Sequence, residues 1–330
     1  MASKLFLSNS SFLFQSNKLL SFPKHLNPIS TSQSRSLTIT NTSFNWDDVL
    51  SISQSNNSSE DHDSSYLQPF FQRIKTCNRG MEKKSEFFQF IVEDQIIGYI
   101  HEKFAENLRK FKDVFTFGEG DIGVNIMLHS SLESPDDRTD AVGYVIKSLG
   151  EGLIPGIRNE AYGVHMNGYV DKDGEKYLWV GKRSEVKPTY PGMLDHLVAG
   201  GLPHDMTCKE NILKECEEEA GIPSSISNSA IPVGAVSYMD IDGDRYKRDV
   251  LFCYDLKVNE GFTPNNQDGE VGSFKLIPIK QVANIIRTTE FFKPNCTLVI
   301  IDFLFRHGII KPEQRGYLEL LQSLRSGDCS

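Results

Sequence analysis

The first 46 residues of this 330-residue chain contain no Asp or Glu, although the whole sequence carries 44 acidic residues against 35 basic ones. That stretch holds eleven serines and only Lys4, Lys18, Lys24 and Arg35 as cations. A Ser-rich, acid-poor leader suits an organellar presequence, which must stay unfolded to be threaded through a translocon. The scarcity of arginine points to a plastid rather than a mitochondrion. A secretory signal fits less well, because Ser8, Asn9, Ser10 and Ser11 break what would be its apolar core. A transit peptide is therefore expected over residues 1–50, with disorder continuing to about residue 65 through a polar stretch too poor in apolar groups to offset the entropy of ordering.

Other absences narrow the class. The longest apolar stretch, residues 298–310, is interrupted by Asp302, Arg306 and His307 and falls short of the roughly 20 apolar residues a membrane span needs. Cys77, Cys208, Cys216, Cys253, Cys296 and Cys329 form no CxxC pair, which excludes a zinc knuckle or a dense disulfide framework and leaves reduced thiols. With a formal charge of −9 there is no global field toward nucleic acid or anionic lipid, so phosphate must be held by local cations. The 39% hydrophobic and 24% charged content is that of a soluble globular chain of about two domains.

Order is expected from about Tyr66, where Tyr66, Leu67, Phe70, Phe71 and Ile74 recur at helical spacing. Residues 87–92 and 95–100 read as strands, and Phe104, Leu108, Phe111 and Phe115 as one helix face, before Gly118 and Gly120 break the chain. These make a small α+β unit over 66–156, and the glycines at 150–156 lead to a second unit over 157–298. There, residues 161–170 and 176–182 flank an Asp-Gly turn, a hairpin signal. Further strands are expected at 231–238, 249–258 and 274–278, and helices at 298–306 and 317–324, so that 299–330 becomes a helical segment packed on the second unit.

Thr207 and Glu210 have the capping-box spacing, which predicts a helix from Cys208 to Gly221. Glu215, Glu218 and Glu219 then share one face, while Glu217 points elsewhere. Ile212, Leu213, Cys216 and Ala220 dock the helix, leaving the carboxylate edge outward. Like charges at this spacing destabilise an isolated helix by about 0.2–0.5 kcal/mol per pair. A solvated acidic face tolerates that cost; a hard cation such as Mg²⁺, which also binds phosphate oxygens, makes use of it.

The run Lys214-Glu215-Cys216-Glu217-Glu218-Glu219-Ala220-Gly221-Ile222 resembles the C-terminal half of the Nudix box, Gly-x5-Glu-x7-Arg-Glu-U-x-Glu-Glu-x-Gly-U with U apolar. The N-terminal half departs. Gly200 takes the glycine position and Met206 that of the first glutamate, with Gly201 the alternative glycine in a shorter loop, and Lys214 replaces the arginine and its bidentate fork. The resemblance implies an α/β (α+β) chain: a Nudix α/β/α sandwich preceded by the small α+β domain. It also implies Mg²⁺ or Mn²⁺ held by Glu215, Glu218 and Glu219, a lowered pKa for a bound water, and attack on phosphorus. Glu270, in Asp268-Gly269-Glu270-Val271, stands where many such enzymes carry a further acid that binds metal or accepts the water's proton; otherwise it is an exposed turn glutamate.

Three more segments are similar to plant chloroplastic Nudix proteins related to the Nudix part of fungal thiamin pyrophosphokinases. They are Arg158 to Val164, Lys187 to Asp195, and Arg306-His307-Gly308 through Pro312. This implies a stromal pyrophosphohydrolase of nucleoside-diphosphate-like compounds, with oxidised thiamin diphosphate derivatives favoured. Arg183 and Lys187 are candidate phosphate contacts or ordinary surface cations, and Tyr190 either stacks on a ring or packs. Gly200 and Gly201 complete the candidate substrate contacts. His204 precedes the box within reach of substrate, without a second histidine at ligand spacing. Two rivals stand beside this reading. Thr189-Tyr190-Pro191-Gly192 is similar to isopentenyl diphosphate isomerase, which needs a cysteine with no evident equivalent here, and Met206 suggests a Nudix-fold binding module, which the three retained glutamates oppose. The expected partner is a small-molecule diphosphate, not nucleic acid or a membrane; oligomeric state cannot be read from the sequence.

Overall fold

A computed structural model describes residues 44–54, 65–120, 123–150, 157–159, 161–203 and 205–327. Most of the expected leader and His204 lie outside the described residues.

Helices α1 (Trp46–Gln54) and α2 (Gln68–Cys77) precede a first sheet of β1 (Phe87–Val92), β2 (Gln95–His101), β3 (Phe115–Gly120), β4 (Gly123–Leu128) and β5 (Ile157–Asn159). Its order is β3-β4-β1-β2-β5, with β1 and β4 parallel and the other neighbours antiparallel. Helices α3 (Glu102–Leu108) and α4 (Pro135–Leu149) bury Phe104, Leu108 and Val145 against Phe90, Ile100 and Ile126. Phe115 does not extend the helical face. The chain leaves α3 through turns closed by Phe111 N–H on Leu108 C=O and Phe115 N–H on Phe111 C=O, and Phe115 opens β3. Its ring still reaches the same core, 6.1 Å from that of Phe90, because the spacing of apolar residues serves either conformation. Gly118 and Gly120 accordingly lie inside a strand rather than breaking the chain.

The second sheet comprises β6 (Ala161–Lys172), β7 (Glu175–Arg183), β8 (Leu194–Asp195), β9 (Val198–Gly201), β10 (Ile231–Asp242), β11 (Arg245–Lys257) and β12 (Val271–Pro278). The order is β10-β11-β6-β7-β12, with β8 on β7 and β9 on β6. The hairpin turn between β6 and β7 carries Asp173 and Gly174 at positive φ, as the Asp-Gly signal required. Strand alternation feeds two cores: Leu251 and Cys253 of β11 face one, Tyr254 and Leu256 the other. The second of these is closed by α5 (Cys208–Ala220), which is followed by the single turn α6 (Ser224–Ser227). The first is closed by α7 (Ile279–Thr288), α8 (Pro294–Arg306) and α9 (Tyr317–Ser323), giving helix, sheet, helix layers.

Two expected boundaries shift. Residues 66–77, placed with the N-terminal unit, bury Phe70, Ile74 and Cys77 of α2 in the core of the second sheet. Helix α1 lies within the stretch expected to be disordered, yet Val49 is fully buried there, Asn284 Nδ2 donates to Ile52 C=O at 3.2 Å, and Phe44 stacks on Phe291 at 4.0 Å. Helix α1 packs against α7, and α2 packs against α8, which buries every residue from Cys296 to Phe305 and so needs cover on more than one side. Helix α8 therefore lies inside the core and not on its surface. The two sheets meet through Phe87, Tyr99, Met239, Ile241 and Tyr246.

Candidate active site

Helix α5 starts where the sequence placed it. Thr207 Oγ1 accepts from Glu210 N–H at 3.2 Å while Glu210 Oε2 accepts from Thr207 N–H at 2.9 Å, and Gly221 at φ +60° ends the helix. Ile212, Cys216 and Ala220 seat it on the sheet, and that rotation fixes where its acids go.

Glu219 is not on an outward edge. It is 8% exposed, and its Oε2 accepts a hydrogen bond from the Ala199 N–H of β9 at 2.8 Å. Burial pushes its carboxyl well above the usual range; the Ala199 N–H pulls the other way, and Asp195, Glu215 and Glu270 add to the rise. Glu215 lies one helical turn back, against Gly200, where any Cβ would run into its Cδ and Oε1. Burial raises its carboxyl too, Lys214 opposes the rise, and Glu218 and Glu270 reinforce it. Glu218 is half-exposed and bound by Lys214 Nζ at 2.5 Å, the same ammonium standing 3.7 Å from Glu215 Oε1. Glu217 is exposed.

Glu270, just before β12, thus lies within electrostatic reach of both Glu215 and Glu219, and it forms an ion pair with Lys187. Carboxylates gathered at one edge, Glu219 buried and Glu215 and Glu270 half-buried, are a donor set for a hard divalent ion, which takes one or two carboxylates and completes its shell with water and substrate oxygens. The four glutamates do not form a closed cage. Among the described residues, the one group of three possible ligand atoms all within 4.8 Å of one another is Asp195, His196 and Cys296.

The candidate substrate contacts are placed differently from one another. Arg183 directs Nη1 to Asp195 Oδ2 at 2.7 Å, Nη2 to Thr189 C=O at 2.9 Å and Nε to Tyr190 C=O at 3.0 Å, so its fork pins the 184–193 loop to β8. Lys187 sits on that loop facing Glu270. Tyr190 is 46% exposed, with φ +51°. Gly201 C=O accepts from Asn211 Nδ2 at 2.9 Å, which ties β9 to α5 a second time.

Sequence reasoning missed a layer of buried polar groups under β9. Asp195 Oδ1 accepts from His196 N–H at 2.8 Å and from the Cys296 thiol at 2.7 Å, and Lys293 Nζ stands 3.7 Å from Oδ2. Burial alone would raise the Asp195 carboxyl, but Lys293, His196 and Arg183 hold it well below the usual range. Burial moves the His196 imidazole down to about 4 and the Cys296 thiol well above its ordinary range. An anion already balanced by an ammonium, a guanidinium and a protonated thiol is a poor metal ligand, so this cluster supports the loop. The available signal was His165 and Asn167 within a strand of Val164, Met166 and Val170, where polar side chains interrupt a buried run.

Two protein-family models match the chain: a domain of unknown function (DUF4743) over residues 69–172, and the NUDIX domain over residues 162–295. The chain is similar to Nudix hydrolase 20, chloroplastic, of Arabidopsis thaliana, with 53% identity over 341 residues, 92% of this chain and 90% of that protein. It is similar to Nudix hydrolase 24, chloroplastic, of the same plant, with 52% identity over 316 residues, 87% of this chain and 86% of the relative. An uncharacterized protein, YJR142W, of Saccharomyces cerevisiae is 42% identical over 175 residues, 48% of this chain and 51% of its own length.

Proposed function

Because the chain belongs to the Nudix hydrolase family, we propose that it hydrolyses the diphosphate linkage of a small organic substrate with Mg²⁺ or Mn²⁺ bound by Glu215, Glu218 and Glu219. The observation that carries this reading is the seating of Glu219 and Glu215 against Ala199 and Gly200, which fixes two carboxylates on rigid elements at one edge of the sheet. Both relatives that match almost the whole chain are named chloroplastic, and the chain is assigned to that compartment.

A divalent ion bound there supplies charge neutralisation for the phosphate oxygens and a water of lowered pKa. The chain's own contribution is positional. The Ala199 N–H holds one oxygen of Glu219, so the carboxylate presents the other without rotamer search. Lys214 partly offsets the charge of Glu215 and Glu218 in place of the box arginine. Glu270, tethered by Lys187 and half-exposed, is the proposed acceptor of the water's proton. Burial of Glu219 and partial burial of Glu215 reduce screening of the site by bulk water.

Within this chemistry the favoured substrate is an oxidised thiamin diphosphate derivative, on the resemblance of the segments at Arg158 to Val164, Lys187 to Asp195 and Arg306 to Pro312. The isomerase alternative is weakened by Cys216. It stands between Glu215 and Glu217 on α5, but it is sealed in the core 3.8 Å from Met166 sulfur, with burial pushing it up to about 12. The test is turnover of thiamin diphosphate, its oxidised derivatives, ADP-ribose and NADH by the purified protein, with and without Mg²⁺ or Mn²⁺. Metal-dependent release of a monophosphate from the oxidised thiamin derivative at the highest kcat/KM is expected. A dinucleotide as best substrate would overturn the thiamin assignment, and binding without turnover would favour the binding-module reading.

A further inference from the structure

A cavity of about 190 Å³ opens on the face of the second sheet opposite α5. It is bounded by β6 and β11, by Ala199, Gly200 and Gly201 of β9, and by Lys293 and Asn295 at the start of α8. Ala199 also holds Glu219 and Gly200 packs on Glu215, so a single strand separates the cavity from the carboxylates.

Asp249 Oδ1 and His165 Nδ1 are sealed within the cavity wall, and the other Asp249 oxygen is taken by the Tyr238 hydroxyl and Lys247. The Lys293 ammonium is not sealed. Its side chain keeps 18% of its surface accessible, and among the described residues the one carboxylate paired with it, Asp195 Oδ2, stands 3.7 Å away, beyond hydrogen-bond reach. Asp195 is already satisfied by Arg183 at 2.7 Å, the Cys296 thiol at 2.7 Å and the His196 N–H at 2.8 Å. One carboxylate thus faces two cations, and a largely buried charge without a close partner of its own is costly. Burial would discharge Lys293, but Asp195 leads the groups that hold it above its ordinary 10.5, and Glu219 is among them.

The backbone of Lys293 is fixed, because its N–H donates to Leu194 C=O at 2.9 Å. Lys293 is also the N-cap of α8. An ammonium at the positive end of a 13-residue helix is unfavourable by itself, whereas an anion bound beside it is favoured by both. The cations singled out in the sequence are committed elsewhere: Arg183 to Asp195 and the 184–193 loop, Lys187 to Glu270.

We infer that Lys293 binds a phosphate group of the substrate in this cavity, across β9 from the glutamates of α5. The inference rests on the reading of the α5 site as a diphosphate-cleaving centre. It adds a cation to a site whose other named groups are carboxylates, which cannot themselves hold phosphate oxygens.

The experiment measures kcat and KM for oxidised thiamin diphosphate in the wild type, Lys293→Gln and Lys280→Gln. Lys280 is exposed on α7 and controls for the loss of one positive charge. Lys293→Gln should raise KM roughly tenfold to a hundredfold, as a lost charge-assisted hydrogen bond does, with kcat within about threefold of wild type. Lys280→Gln should match the wild type. An unchanged KM in Lys293→Gln, with only a lower melting temperature, would mean that the ammonium merely balances Asp195, and overturns the inference. A wild-type crystal soaked with inorganic phosphate gives a reading independent of turnover and of how the variant folds. A phosphate oxygen within about 2.7–3.2 Å of Lys293 Nζ supports the inference, and an empty cavity or phosphate bound elsewhere contradicts it. Phosphate at Lys293 together with an unchanged KM would be an adventitious ion only, and also overturns it. If the wild type does not hydrolyse oxidised thiamin diphosphate, the activity reading fails and the soaked crystal alone decides whether Lys293 binds phosphate.

Discussion

The main-chain N–H of Ala199 donates to Glu219 Oε2 at 2.8 Å, joining an edge strand to a carboxylate 20 residues further along the chain. Through this bond and the contact of Gly200 with Glu215, the short strand β9 becomes the template that positions the acids of α5.

Gly200→Ala is expected to separate activity from stability. The backbone there has no positive φ, and the new methyl would strike the flexible end of Glu215 rather than backbone. The melting temperature should stay within a few degrees, while kcat falls roughly tenfold to a hundredfold as the carboxylate is displaced by about an ångström. A large loss of stability with unchanged kcat per folded molecule would show that Gly200 serves packing alone.

Starting the chain at residue 65 instead of residue 44 removes α1, with buried Val49, the Phe44 to Phe291 stack and the Trp46 Nε1 hydrogen bond to Ser273 Oγ at 2.9 Å. One buried aliphatic and two part-buried aromatic groups predict a loss of about 2–5 kcal/mol, read as a lower urea midpoint for the shorter chain. Equal midpoints would mean that α1 adds nothing to the fold.

Much of this organisation was legible in the sequence, and the exceptions share a cause. The α5 boundaries followed from Thr207, Glu210 and Gly221, and the β6 to β7 hairpin from Asp173 and Gly174, because caps and tight turns are encoded locally. The placement of α1 and α2 was not legible, since nothing in either helix names α7 or α8 as its partner. Burial of Glu219 escaped for the same reason: helical spacing sets which acids share a face, but the tertiary position of β9 sets which one is covered. The Asp195 cluster draws on β7, β8 and the start of α8, so no single segment displays it.

Asp255→Asn should destabilise the chain in a pH-dependent way. Burial alone would raise the Asp255 carboxyl, but hydrogen bonds from His307 and Arg306 outweigh it and hold the group below its ordinary 3.8. A depressed carboxyl contributes stability that is present above 3.8 and lost as pH falls through the folded value. Thermal melts at neutral pH should therefore show a deficit of about 3 kcal/mol for the variant, narrowing as pH drops below 3.8. A deficit that is constant with pH would show that the lost contribution is packing rather than charge.

Turnover against metal concentration for Glu219→Gln beside Glu217→Gln decides whether the carboxylates of α5 hold a divalent ion for diphosphate hydrolysis. Both variants remove one charge from the same helix, but Glu219 is buried on β9 and Glu217 is exposed. Glu219→Gln should keep the fold, lose roughly a hundredfold or more in kcat and need more Mg²⁺ or Mn²⁺ for half-maximal rate, while Glu217→Gln stays within about twofold of wild type. Equal rates and equal metal requirements for the two variants would contradict the claim and return the acidic run to a solvated helix face.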